Sequence, residues 1–244
     1  MRVVFVDFET SGLVPGKIVE IGVCVVNDGE IVDIQSRVVN PGPEIIAATE
    51  QQIALHGLAS TIHGISPAEM RAAKTFQENE AWLLDLLFSA DVVSAYNYTF
   101  DKMFLETEIS RSYPEKTLYW YDMYAAAKKH LSLPMYTLRA VARFFNIEQT
   151  SAHRAGDDAT VTGGIFLRLQ RLGVGIEIHE QSALVKRGPY VQAHVTYGEK
   201  DLCSSAGGIW DKVNKRWMID SSRSYPDSWK SPRSQKRARE EQFN

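Results

Sequence analysis

The chain has 244 residues, 44% apolar and 10% aromatic, with 27 basic and 30 acidic side chains giving a net charge of −3. This content suffices for a packed core and excludes a wholly disordered chain, and the length allows one large or two modest domains of ~100–200 residues each. The charge is uneven: residues 1–171 carry 15 basic and 21 acidic side chains, whereas residues 172–244 carry 12 and 9, so a segment at −6 precedes one at +3.

The opening residues Met1-Arg2-Val3-Val4-Phe5-Val6-Asp7 put an acid where a signal peptide needs unbroken apolar chain. No run approaches the ~18 apolar residues of a membrane span. The expectation is a cytoplasmic protein with no membrane partner. Cys24 and Cys203 lie far apart with no CxxC pair, so neither a disulfide framework nor a thiolate zinc site is legible.

In chain order, residues 2–7, 18–26 and 31–39 are rich in Val and Ile, and Asn27-Asp28-Gly29 is a strong turn signal between the last two. Helical spacing follows over 45–56 and 66–88, then a buried strand over 91–97 and a helix over 99–110. A strand is expected at 117–122, helices at 123–131 and 137–146 on either side of Pro134, and a last helix at 155–171. Strands first, then strands alternating with helices, predict an α/β fold: a mixed sheet covered by helices. Residues 172–182, starting at Gly173-Val174-Gly175, read as a linker. Residues 183–220 read as a small α+β module, with an alternating strand over 191–196 and a hairpin over 209–219 around Val213-Asn214. Residues 221–244 read as a flexible tail carrying Arg223, Lys230, Arg233, Lys236, Arg237 and Arg239.

Asp7 and Glu9 stand two apart at the end of the first strand, so a period of two sends both carboxylates to one face. Either the strand has ended and both acids are solvated, or a divalent cation compensates their repulsion. Asp101 shares a helical stripe with Phe104, Leu105 and Ile109 and therefore faces the sheet, where an acid is costly unless paired or on a metal. In the last helix, Asp158 shares a stripe with Val161, Ile165, Leu169 and Leu172. Asp157 shares one with Thr160, Gly164, Arg168 and Arg171, so Asp158 faces inward and Asp157 complements the helix dipole. His153 is five residues from Asp158 and meets it only if it lies on a loop, which Ser151-Ala152-His153-Arg154 would supply.

Asp7-Phe8-Glu9-Thr10, Asn97-Tyr98-Thr99-Phe100-Asp101 and His153-Arg154-Ala155-Gly156-Asp157-Asp158-Ala159 resemble, in order and spacing, the three motifs of the DEDDh (DnaQ-like) 3′-5′ exonucleases. The resemblance covers about residues 2–171, taking in Ile18-Val19-Glu20-Ile21-Gly22 and His63-Gly64-Ile65. Departures are Ser11 for a common Thr, Tyr96 for a frequent His and Gly156 for a common Leu. The resemblance implies a ribonuclease H-like fold and an exonuclease domain over 1–171. It further implies two divalent cations, Mg2+ or Mn2+, held by Asp7, Glu9, Asp101 and Asp158, with His153 as general base. By motif position, Thr10, His63, Ile65 and Asn97 would hold the terminal nucleotide. Nucleic acid is the implied partner, DNA ahead of RNA and with a single-stranded 3′ end as substrate. The alternatives are an exoribonuclease of the same family, a non-catalytic nucleic-acid-binding subunit and a ribonuclease H-like endonuclease. Two ions would also add four positive charges to the acidic segment.

Gly207-Gly208-Ile209-Trp210-Asp211 and Lys215-Arg216-Trp217 resemble a short Trp-containing module found beside nucleic-acid enzymes. Trp210 and Trp217 either form the core of this small unit or stack on bases. Lys186, Arg187, Lys212, Lys215 and Arg216 are either a solvated face or contacts to phosphates.

Overall fold

The computed structural model describes residues 1–12, 16–57, 62–149, 153–188, 190–211 and 215–230. Expectations for Ser151, Ala152, Lys212, the turn at Val213-Asn214 and the basic residues from Arg233 to Arg239 lie outside these.

The sheet is organised around β1 (Arg2–Thr10), in which Val3, Val4, Phe5 and Val6 are all fully buried. A continuous apolar run, rather than an alternation, is what a strand covered on both faces requires. Antiparallel to it runs β2 (Ile18–Asn27), which turns back into β3 (Glu30–Val38) through Asp28 and Gly29 at φ 49° and 87°. Positive φ at both positions matches the twist of a two-residue hairpin, the reason for the Asn-Asp-Gly signal. On the other side of β1, β4 (Val92–Ala95) and β5 (Tyr113–Asp122) add in parallel, and β6 (Glu180–Leu184) closes the sheet antiparallel to β5. The order is β3-β2-β1-β4-β5-β6.

Among the described residues, seven α-helices belong to this unit: α1 (Pro43–His56), α2 (Pro67–Ala72), α3 (Phe76–Phe88), α4 (Tyr98–Glu108), α5 (Met123–His130), α6 (Leu138–Phe144) and α7 (Ala155–Arg171). The expected single helix over 66–88 is two. Ser66 and Thr75 each accept from the backbone of a Glu three residues on, whose carboxylate reaches back, and Thr75 starts a second helix. The main core packs Phe5, Cys24 and Tyr121 of the sheet against Val161, Ile165 and Phe166 of α7, with the Phe5 and Phe166 rings 5.3 Å apart. Leu172, placed on the inward stripe by periodicity, is 63% exposed because α7 ends at Arg171.

The chain divides into two compact units, the first reaching Lys186 and the second built on the residues from Arg187. This corrects the expected linker over 172–182 and the boundary at 183. Residues 180–184 satisfy the open edge of β5, and Lys102 of α4 donates to Glu180 at 2.5 Å. Lys186, read from the sequence as either part of a solvated face or a phosphate contact, donates through its ammonium to the carbonyl of Thr107.

The second unit is a three-stranded antiparallel sheet, ordered β7-β9-β8, from β7 (Tyr190–Ala193), β8 (Ile209–Asp211) and β9 (Arg216–Asp220), with the short helix α8 (Lys200–Ser205). Its core is Ala193, Cys203, Ile219 and Trp229. The strand expected to reach 196 stops at Ala193, and Thr196 caps the following turn. Trp229 is 2% exposed, so the expected flexible tail is cut back: residues up to Lys230 carry the anchor of this core. Among the described residues no helix is long and apolar enough to cross a membrane.

Truncation after Asp220 should therefore unfold the second unit, since removing a buried Trp costs about 3–5 kcal/mol. Hydrogen exchange should show loss of protection in β7–β9 while the six-stranded sheet keeps its own.

Candidate active site

Asp7 and Glu9 leave β1 opposite Gly22 and Glu20 of β2. The N-terminus of α7 rests directly on this end of β2. A Cβ at Gly22 would overlap the carbonyl of Ala155 and the amide nitrogen of Gly156, and a Cβ at Gly156 would stand 2.8 Å from Ser36 Cβ on β3. Helix and sheet backbones thus meet where neither strand nor helix has a side chain, which accounts for Gly156 in place of the common Leu. The approach brings Asp158, in the first turn of α7 and 8% exposed, to the β1 carboxylates.

His153 lies outside the helix, in a turn and exposed, with φ 66°. One ligand atom from each of Glu9, His153 and Asp158 falls within 4.8 Å of the others. Asp101, in the first turn of α4 and 5% exposed, completes the acidic group, its carboxylate accepting from the amide of Phe8 at 3.1 Å. The four acids interact electrostatically. Burial, then the charges of Asp101, Asp158 and Glu9, push Asp7 well above the usual carboxylate range. Burial, aided by Asp158, raises Glu9 to about 7, and burial raises Asp101 to about 8 against the hydrogen bond from Phe8. Asp158 is raised by burial, opposed by a 2.6 Å hydrogen bond from Gln149 and by His153. Carboxylate oxygens crowded at this cost are the donor set for a hard divalent cation such as Mg2+ or Mn2+, which would remove the repulsion.

Two contributors were missed in the sequence. Glu20, 1% exposed, accepts from Arg154 Nη2 at 2.8 Å, Ser36 Oγ at 2.7 Å and the Ala155 amide at 3.0 Å. Burial raises its pKa, but these donors outweigh burial and hold it below the usual range. It thereby ties the His153-Arg154 turn and the start of α7 to β2. An acid inside the apolar run Ile18-Val19-Glu20-Ile21 was the available signal. Gln149, the second, had none, since its role depends on a side-chain hydrogen bond to Asp158 that no local spacing records.

The expected nucleotide-holding residues are differently placed. Thr10 ends β1 and is half-buried, and Asn97 is exposed at the N-terminus of α4, its Oδ1 accepting from Thr99 Oγ1 at 2.9 Å. His63 is buried, its Nδ1 accepting from the Ile65 amide at 3.0 Å. Burial lowers its pKa, against the nearby Glu20 and together with Arg154. Ile65 has no exposed surface and packs with Val19, Ile46 and Met70, so its side chain is core and not a lining group.

The raised carboxylates set a pH dependence. A folded pKa above the unfolded one stabilises fully below the unfolded value, about 4, and that contribution is lost as pH rises through about 7 to 8. Chelator-treated protein should lose melting temperature between about pH 6 and pH 8, and added Mg2+ or Mn2+ should raise it more at the higher pH. Gly22→Ala should cost about 3 kcal/mol in chemical denaturation and shrink that cation-induced rise, because α7 must move off β2.

The family pattern described as an exonuclease, RNase_T, matches residues 4–166. A DNA polymerase III of PolC type from Thermotoga petrophila is 32% identical over 181 residues, 70% of this chain and 12% of the polymerase. The 3′-5′ exonuclease DinG of Bacillus subtilis is 29% identical over 178 residues, 69% of this chain and 17% of that protein. The chain thus spans well under a fifth of the length of either relative. Among solved structures, the nuclease domain of 3′hExo, a DEDDh family member bound to rAMP, aligns with a TM-score of 0.55 at 15% identity, covering 74% of this chain and 96% of that domain. With a pattern match over most of the first unit and the mixed sheet carrying acids on β1, α4 and α7, the chain belongs to the DEDDh family of 3′-5′ exonucleases, with their ribonuclease H-like fold.

Proposed function

We propose that the first unit is a 3′-5′ exonuclease domain that hydrolyses the terminal phosphodiester of single-stranded DNA and releases nucleoside 5′-monophosphates. The observation that carries this is the convergence of Glu9, Asp158 and His153 within 4.8 Å, with Asp7 and Asp101 close enough to repel the carboxylates among them. DNA is favoured because the relative with the higher identity of the two is a DNA polymerase, and 3′-5′ polarity because the other is named for it.

Asp7, Glu9, Asp101 and Asp158 would hold two divalent cations, Mg2+ or Mn2+. Such ions stabilise the attacking and leaving oxygens of an in-line displacement and make bound water more acidic. His153 stands at the solvent side of the carboxylates, where its imidazole can take the proton of the attacking water as the new phosphorus–oxygen bond forms. The bond from phosphorus to the 3′-oxygen of the penultimate nucleotide breaks, and solvent protonates that oxygen. Glu20, through Arg154 and the Ala155 amide, keeps the His153 turn in place. Thr10, His63 and Asn97 are assigned to holding the terminal nucleotide.

Asp158→Asn and His153→Ala should each lower Mg2+- or Mn2+-dependent release of mononucleotides from end-labelled single-stranded DNA by at least about 100-fold, the low end of a general-base contribution. Full activity in either variant, or internal fragments in place of a mononucleotide ladder, would sink the assignment. Faster hydrolysis of RNA than of DNA would move it to the exoribonuclease reading that the rAMP-bound neighbour represents.

A further inference from the structure

The second unit exposes large aromatic rings that its core does not use. Trp229 fills the core, Trp217 packs partly against it, and Trp210, paired with Trp217 across β8 and β9, is 42% exposed. The two indoles meet edge to face with centroids 5.7 Å apart. Tyr197 is 86% exposed, with Lys200 Nζ 4.7 Å from its ring centre. Solvated rings on so small a unit are a cost unless something covers them.

These rings border one groove of about 550 Å³, lined also by Lys200, Lys215 and Arg216. No carboxylate is among the described residues that line it. Of the acids nearby in sequence, Asp201 is exposed beside Lys200 but does not line the groove, and Glu199 and Asp220 are spent inward. Glu199 accepts from Trp229 Nε1 at 3.1 Å and from the Thr196 amide at 2.9 Å. Asp220, 1% exposed, accepts from the amides of Gly188 and Ser222 at 3.0 and 2.9 Å. The groove therefore presents cations and π-faces together, complementary to a ligand with negative charge and flat apolar rings at short repeat. An acidic peptide would meet the charges and leave the rings uncovered, whereas a duplex keeps its base faces stacked away from them.

We propose that this groove is a binding site for single-stranded DNA, with bases stacked on Trp210 and Tyr197 and phosphates on Lys200, Lys215 and Arg216. The choice of DNA over RNA rests on the function proposed above; the stacking site itself does not.

The test uses the full chain in chelator, where the acids of the first unit hold no cation, and a fluorescent oligothymidylate of about 12 nucleotides followed by anisotropy over a range of salt. Trp210→Ala should weaken binding about 10-fold and Tyr197→Ala at least about 5-fold, while Trp210→Phe recovers most of the loss. Lys215→Gln should reduce the slope of log affinity against log salt by about 0.7. Because Tyr197 is almost fully solvated, its variant reports binding without a folding defect. Cleavage of a nitrophenyl ester of thymidine 5′-monophosphate, too small to span to a second site, should be unchanged in all these variants. Unchanged affinity in both Trp210→Ala and Tyr197→Ala overturns the proposal, as does tighter binding of oligouridylate or duplex DNA. Weakened binding in a chain that proves to have no nuclease activity leaves this site standing and removes the exonuclease reading.

Discussion

Backbone contact between the start of α7 and the end of β2 is the constraint on which the rest of the first unit depends. Gly22 removes the one side chain that would hold helix and strand apart, and Gly156 does the same toward β3. Everything chemical follows from that approach. Asp158 reaches the carboxylates of β1 only because its helix begins there, and His153 reaches them only because the turn before the helix is bound to Glu20 through Arg154. Packing further along α7, where Val161, Ile165 and Phe166 meet Phe5 and Cys24, fixes the helix axis and transmits no chemistry of its own.

Glu20 and Asp7 show how two acids near one strand end acquire opposite character. Glu20 is also buried, yet a guanidinium, a hydroxyl and a backbone amide all donate to it, so its charge is stable and serves as a clamp. Asp7 is penalised first by burial and then by the carboxylates that are its electrostatic neighbours, with no donor among the described residues to offset either. Burial alone does not separate a structural acid from a metal-binding one; the sign of the surrounding partners does. The first unit thus keeps unfavourable charge in one place, where a divalent cation converts it into binding energy, and compensates the rest internally.

Much of this was legible in the chain because the relevant interactions are local or periodic. The period of two put Asp7 and Glu9 on one face, and the period of 3.6 turned Asp101 and Asp158 inward and left Asp157 half-exposed at the helix start. Where expectation and structure part, the cause is long-range. The sixth strand at 180–184 has no strong pattern of its own and forms because β5 offers an unpaired edge. Trp229 sits in a Ser-rich basic stretch that reads as a tail, and only the cavity between β7, β9 and α8 makes it a core residue. Ile65 fits a motif position but is held inside by Val19, Ile46 and Met70. The break between α2 and α3 is a different kind of miss, since Ser66–Glu69 and Thr75–Glu78 were local signals present in the chain.

By itself, then, the sequence determined the strand and helix order, the inward acids and the family resemblance, because these depend on residue type and spacing along one element. Tertiary structure alone decided which end of β2 the last helix touches, which buried acid is a clamp and which a cation ligand, and which Trp is core and which is exposed. Those outcomes depend on partners distant in sequence, from tens of residues for Trp229 and Cys203 to more than a hundred for Glu20 and Arg154, and no local pattern records who will stand beside whom once the sheet has closed.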